Sequence, residues 1–207
     1  MRKISKGEEC AQLRTWKRKN PNGDYKDVDD ITRRHIRQSL LSEQFGLCAY
    51  CCQQINLENS HNEHLLAQSV RNSITLEHKN LIASCNIKRQ CGDAHGAAIL
   101  ELTPLMDECE EELRFKFSGR VEAITKRAED TVRILNLGDT EKNNKALISR
   151  RKAVCEALIW KDFSVPPDQL KSEDEDLIEL LYTDLSDPKD GKLQPFAPIL
   201  RNILRNR

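Results

Sequence analysis

Leu47-Cys48-Ala49-Tyr50-Cys51, answered downstream by Cys85-Asn86-Ile87-Lys88-Arg89-Gln90-Cys91, is the stretch whose reading decides the fold. Cys48-x-x-Cys51 can set two thiolates on one tight turn, and Cys85 with Cys91 can supply the other half of a tetrahedral zinc shell. Four sulfur ligands close that shell, so the zinc expected here is structural and holds loops in place. The second pair is spaced more widely than a usual knuckle. Cys52 could be a spare or alternative ligand, but adjacent side chains rarely reach the same ion, and Cys51 is preferred because it completes the short knuckle. The competing reading is a set of buried core thiols, but paired cysteines at ligand spacing favour metal. The other cysteines, Cys10, Cys109 and Cys155, are scattered and read as ordinary small residues.

Working outward, Asn20-Pro21-Asn22-Gly23 is a turn signal that separates a basic opening segment from a helix expected over 28–45, with Ile31, Ile36, Leu40 and Leu41 on its apolar side and Gly46 at its end. Residues 55–96 lack long periodic segments, as expected where metal replaces part of a hydrophobic core. Residues 113–117 and 121–124 flank Ser118-Gly119 as a small hairpin. Helical spacing follows: Ile124, Ala128, Val132 and Leu135 share one face, and Leu147, Val154, Leu158 and Ile159 another, with Gly138-Asp139 between them. Pro166-Pro167 closes the second helix, 170–185 gives an acidic third, and 196–207 a short basic one. The division expected is an N-terminal extension plus catalytic unit over 1–115, its core at 46–98, and a mainly helical lobe over 116–207.

Charge excludes little by itself: the 207 residues carry 33 Lys+Arg against 33 Asp+Glu, for a formal net charge of +0. Its distribution is more telling, because residues 1–40 are rich in Lys and Arg whereas 173–190 is mostly acidic. A basic first lobe can meet a phosphate backbone, although such contacts carry no sequence information. No apolar run approaches the roughly 20 residues that cross a bilayer, and no secretory stretch opens the chain, so a cytoplasmic protein with free thiols is expected.

Between and after the cysteine pairs sit Glu63-His64, Asn80-Leu81 and Cys91-Gly92-Asp93-Ala94-His95. In that order they resemble the HNH nuclease family, whose ββα-metal fold threads a His, an Asn and a third His between zinc knuckles. The match covers under a third of the chain, and its specificity lies in the joint arrangement. The fold class expected is therefore α+β: a zinc-stapled ββα-metal core with an N-terminal helical extension and a mostly helical C-terminal lobe. Phosphodiester cleavage needs a nucleophile, charge stabilisation and help for the leaving oxygen. His64 suits the general base, since a neutral imidazole takes a proton near neutral pH. Glu63 and His95 could hold a catalytic Mg2+ or Mn2+, with Asp93 as an auxiliary ligand. The resemblance implies that Asn80 braces the loop carrying His64. His35 reads as a surface residue, His61 as a metal or neighbouring residue, and Glu77-His78 as a rival to Glu63-His64 that lies outside the expected position.

With the flanks included, Lys6-Gly7, Trp16, Gln68, Ser84-Cys85 and Leu135-Asn136-Leu137 make the chain similar to the PtuB family, the HNH subunits of Septu anti-phage defence that are also found beside retrons. Glu63 stands where Asp is common in the wider family, and Ala67 where this subgroup often has Pro. The resemblance implies an effector working with a PtuA-type ABC/SMC-like ATPase, with DNA the favoured substrate and a retron reverse transcriptase/msDNA complex as a further partner. The chain has no phosphate-binding glycine loop of its own, so nucleotide chemistry falls to a partner. An RNA- or tRNA-cleaving retron effector and a catalytically silent zinc-binding adaptor are the alternatives. An adaptor would need the cysteines but have no use for His64 or Glu63.

Overall fold

A computed structural model describes residues 1–163 and 175–206. It is a mixed α/β structure with two small sheets and seven helices among the described residues: α1 (Ala11–Lys19), α2 (Asp30–Glu43), α3 (Gly92–His95), α4 (Lys126–Ile134), α5 (Glu141–Phe163), α6 (Glu175–Asp184) and α7 (Ala197–Arg205). Strands β1 (Ser60–His64) and β2 (Leu81–Cys85) form one antiparallel pair, and β3 (Leu113–Phe115) and β4 (Val121–Ala123) the other. No helix among the described residues is long and apolar enough to cross a membrane.

Helix α2 starts where the Asp29 carboxylate accepts the Thr32 backbone N–H at 2.8 Å, which satisfies one of the free donors of a first turn. Its buried line is Thr32, Ile36 and Leu40, one residue per turn. Ile36 and Leu40 are buried as expected, but Ile31 is 73% exposed and Thr32 takes its place at the start of the buried line. Gly46, at φ +72°, turns the chain out of α2 in a conformation that a β-carbon would strain.

Gln44 then locks the turn to the first sheet. Its side-chain nitrogen donates to Leu47 O at 2.8 Å and Ala83 O at 2.9 Å, and its oxygen accepts from Ala83 N at 2.7 Å. Ala49 N also donates to Ala83 O at 3.1 Å. The knuckle is thereby held across the middle of β2, the strand that ends in Cys85.

The hairpin expected over 113–124 is β3–β4, and α4 and α5 flank Gly138 as the periodicity indicated. Ile124 is the exception on its helix face, 48% exposed while Ala128, Val132 and Leu135 are buried. In α5 the helical dihedrals break at Asn144, whose side-chain oxygen accepts from Leu147 N at 3.0 Å and so caps the longer part of that helix. Pro166-Pro167 and the start expected for the third helix lie outside the described residues; α6 and α7 account for the rest of that expectation.

Candidate active site and metal centre

The four cysteines of the two pairs converge. The sulfurs of Cys48, Cys51, Cys85 and Cys91 all lie within 4.8 Å of one another, and every one of these residues is buried. Among the described residues no other His, Cys, Asp and Glu set draws together so closely. Burial pushes the Cys51 and Cys91 thiols well above the usual value, whereas at Cys48 hydrogen bonds from the other three outweigh burial and hold it well below. Four such groups packed without a cation would repel as thiolates, so the donor chemistry fits a divalent ion.

The surroundings supply what a tetrathiolate centre needs. Cys85 N donates to Cys48 Sγ at 3.4 Å, and Gln90 Nε2 lies 3.6 Å from Cys51 Sγ and 3.7 Å from Cys85 Sγ. Arg151 is 1% exposed and pairs with no carboxylate among the described residues; its guanidinium donates to Gly119 O at 2.7 Å and Leu137 O at 3.1 Å. Burial lowers its pKa, and the nearby Cys51 sulfur is the first influence that opposes this. A buried unpaired cation is costly unless negative charge is close, and four thiolates around a divalent ion carry a net charge of about −2. Cys52 sits apart in the core and accepts from Phe196 N at 2.9 Å through its carbonyl.

The polar cluster of the site is built on β1, whose side chains alternate between faces. His61 and Glu63 therefore share one face, and there they meet His95 from α3. Glu63 Oε1 lies 2.6 Å from His95 Nδ1, and Oε2 lies 3.2 Å from His61 Nε2. The outer nitrogen of each ring is already held: His95 Nε2 donates to Ala98 O at 2.8 Å, and His61 Nδ1 lies 2.8 Å from Asn86 Oδ1. Both imidazoles are thus oriented by an oxygen acceptor on the far side, as metal-binding histidines commonly are, and each aims its inner nitrogen at a carboxylate. Burial would raise the Glu63 pKa, but the hydrogen bonds from His61 and His95 bring it below the ordinary value. Glu63 is an anion at neutral pH.

Two features show how tightly the cluster is packed. A β-carbon at Gly92 would stand 2.6 Å from His61 Nε2 and 2.8 Å from Glu63 Oε2, so glycine is what lets α3 approach β1. Beside His95, with ring centroids 6.2 Å apart, Tyr50 is fully buried and its hydroxyl has no hydrogen-bond partner among the described residues. An orphaned buried hydroxyl on the ring beside His95 fits a site that takes water or an ion.

His64 is placed differently. It ends β1 on the opposite face from Glu63, 7% exposed, with its ring edge-on to Tyr25 at 4.6 Å. Its Nε2 donates to Thr75 O at 3.0 Å, and burial lowers its pKa, so at neutral pH the ring is uncharged with an unprotonated Nδ1. Asn80 bonds the segment after it: Oδ1 accepts from Leu66 N at 2.8 Å, and Nδ2 donates to Leu66 O at 3.1 Å and Ile74 O at 3.3 Å. Asp93 is exposed and accepts from Arg89 N at 2.6 Å, closing the turn before Cys91. The structure thus brings Glu63 and His95 together, adds His61, and sets His64 and Asp93 apart. His61 could have been found from the two-residue period of a strand, which pairs positions 61 and 63 and separates 63 from 64. His78 belongs elsewhere, 2.6 Å from Glu43, which also binds Lys6 at 2.6 Å.

The chain is 31% identical over 104 residues to a protein of Escherichia coli named "Retron Ec83 putative HNH endonuclease", an alignment covering 45% of this chain and 40% of that protein. That likeness supports the HNH endonuclease family. This chain therefore matches less than half the length of its relative, and no known family profile matches it.

Proposed function

We propose that the chain is a metal-dependent HNH endonuclease that hydrolyses phosphodiester bonds of nucleic acid, with β1, β2 and the short α3 as its ββα-metal core. The observation that carries this reading is the Glu63 carboxylate set between His61 and His95, each ring anchored from behind by an oxygen. An adaptor would gain nothing from such an arrangement, whereas a cation site would. Glu63 and His95 would hold the catalytic divalent ion, Mg2+ or Mn2+, with His61 beside them; when bound there, the ion supplies neutralisation of charge developing on the phosphate and the leaving oxygen. Cys48, Cys51, Cys85 and Cys91 would hold the structural zinc. Asp93, committed to the Arg89 turn, would have to leave that bond to serve as an auxiliary ligand.

For the proton, we assign His64 as general base. Its Nε2–H is fixed on Thr75 O, so Nδ1 is the acceptor, and Asn80 holds the segment that follows it at Leu66. A second reading, with His61 as base, is favoured by the 33% exposure of that side chain and its place on the Glu63 face. Cleavage by His64→Ala and His61→Ala separates them: loss of about 10²–10⁴-fold marks the base. If neither substitution lowers cleavage, both assignments fall.

The assembly follows from the resemblance. The chain would be the effector subunit beside a PtuA-type ABC/SMC-like ATPase in a cytoplasmic anti-phage system, with the segment over 116–207 as the docking lobe and DNA as the favoured substrate. Arg18 and Lys19 at the end of α1 offer positive charge for a phosphate backbone, whereas Arg14 and Lys17 are paired with Glu8 and Glu9. Co-expression with such an ATPase, followed by incubation with DNA and with RNA, tests partner and substrate together.

A further inference from the structure

Gln90 is 1% exposed, a polar side chain with every hydrogen-bonding atom inside the protein. Its amide nitrogen stands between two sulfurs of the cysteine centre, 3.6 Å from Cys51 and 3.7 Å from Cys85. Its amide oxygen faces the other way and accepts from Asn144 Nδ2 at 3.0 Å and Arg150 Nη2 at 3.4 Å. Those distances fix the orientation of the amide: oxygen toward two donors, nitrogen toward two acceptors.

The chain is shaped to make this contact. Asn144 is where the helical path of α5 breaks, and the same side chain caps Leu147 through its oxygen while its nitrogen also reaches Asn136 O at 3.0 Å. Asn136 Nδ2 in turn donates to Arg89 O, and Leu135 O accepts from Cys91 N at 2.9 Å. Residues 135–150 therefore grip the second cysteine pair at Arg89, Gln90 and Cys91. Arg89 and Cys91 both have positive φ, 58° and 53°, an unfavourable state for non-glycine residues that needs surrounding bonds to hold it.

We infer that Gln90 is a positioning residue for the metal centre: it donates N–H···S hydrogen bonds to Cys51 and Cys85, stabilises their thiolates, and couples the centre to the start of α5 through Asn144. The inference rests on the reading that the four cysteines hold zinc. A thiolate that accepts a hydrogen bond is a stronger-held, less reactive ligand, and partners of this kind set metal affinity. The helical segment beyond β4 is then part of the metal site's support.

The test uses the full chain carrying zinc, and separately Co2+ in its place. Gln90→Leu removes both donors and keeps the bulk; Asn144→Ser keeps a capping oxygen for α5 but removes the donor to Gln90. In Gln90→Leu the thiolate-to-cobalt charge-transfer band should move to longer wavelength, and zinc loss to a chelator should accelerate by about 10-fold or more. Asn144→Ser should shift both in the same direction by less, and it serves as the decisive variant if Gln90→Leu does not fold. Cobalt spectra and release rates that match wild type in the folded variants would overturn the inference, while leaving the zinc reading intact. A wild-type chain that takes up neither metal would overturn both. Neither readout depends on cleavage.

Discussion

Gly92→Ala should separate catalysis from stability. The added β-carbon would sit 2.6 Å from His61 Nε2, 2.8 Å from Glu63 Oε2 and 3.0 Å from Glu63 Cδ. Carbon needs about 3.4 Å or more from such atoms, so the His61 ring and the Glu63 carboxylate must withdraw by roughly 0.5–1 Å. Gly92 lies in α3 without a positive φ, so alanine follows the same backbone and gains about 0.5–1 kcal/mol of helical preference. His61, with a side chain 33% exposed, can swing toward solvent to relieve the clash. Overpacking of about 1–3 kcal/mol is partly offset, and the melting temperature should fall by only a few degrees. Cleavage should suffer far more, because a displacement near 1 Å at reacting or ligating groups costs about 10²-fold. Thermal unfolding and nuclease assays at several Mn2+ concentrations, on the same preparation, measure both. Wild-type cleavage with unchanged metal dependence would refute the claim that this cluster is the catalytic site.

Two further outcomes follow from the same geometry. Burial would raise the Glu43 pKa, but hydrogen bonds from His78 and Lys6 bring it below the ordinary value, so its contribution to stability is present above the unfolded carboxylate pKa of about 4.3 and is lost as pH falls through the folded value. Glu43→Gln should therefore cost about 1–3 kcal/mol at pH 7, with the gap to wild type closing below about pH 4; a gap that stays constant across that range would contradict the pairing. Stripping zinc under reducing conditions should expose the knuckle to protease and abolish cleavage even in excess Mg2+, and Cys85→Ser should do the same. Limited proteolysis indistinguishable from that of the zinc-loaded chain would mean that the cysteines are only core thiols.

Local rules carried the sequence reading well wherever a residue acts on its neighbours. The Cys48-x-x-Cys51 turn, the end of α2 at Gly46, the β3–β4 hairpin and the α4–α5 break at Gly138 were all legible, because spacing and backbone preference determine them. His95 was legible as a partner of Glu63, but His61 was not. Glu63 and His64 look like one unit in the sequence, yet in a strand they point to opposite faces, and the residue that joins Glu63 and His95 is His61, two residues back. Ile31 and Ile124 show the same limit: a hydrophobic side chain can fit a periodic pattern while tertiary packing leaves it exposed. Gln90 gave no signal, since a glutamine between two cysteines reads as filler until the fold brings Asn144 and Arg150 against it.

The central claim is that Glu63 and its histidines bind the ion on which cleavage depends. Mn2+ binding to the zinc-loaded chain, followed by electron paramagnetic resonance in wild type and Glu63→Ala, tests it most directly when read beside cleavage by the same samples with the co-expressed ATPase. The account predicts a bound Mn2+ in wild type that disappears in Glu63→Ala together with cleavage. Equal Mn2+ binding and equal cleavage in both proteins would contradict it.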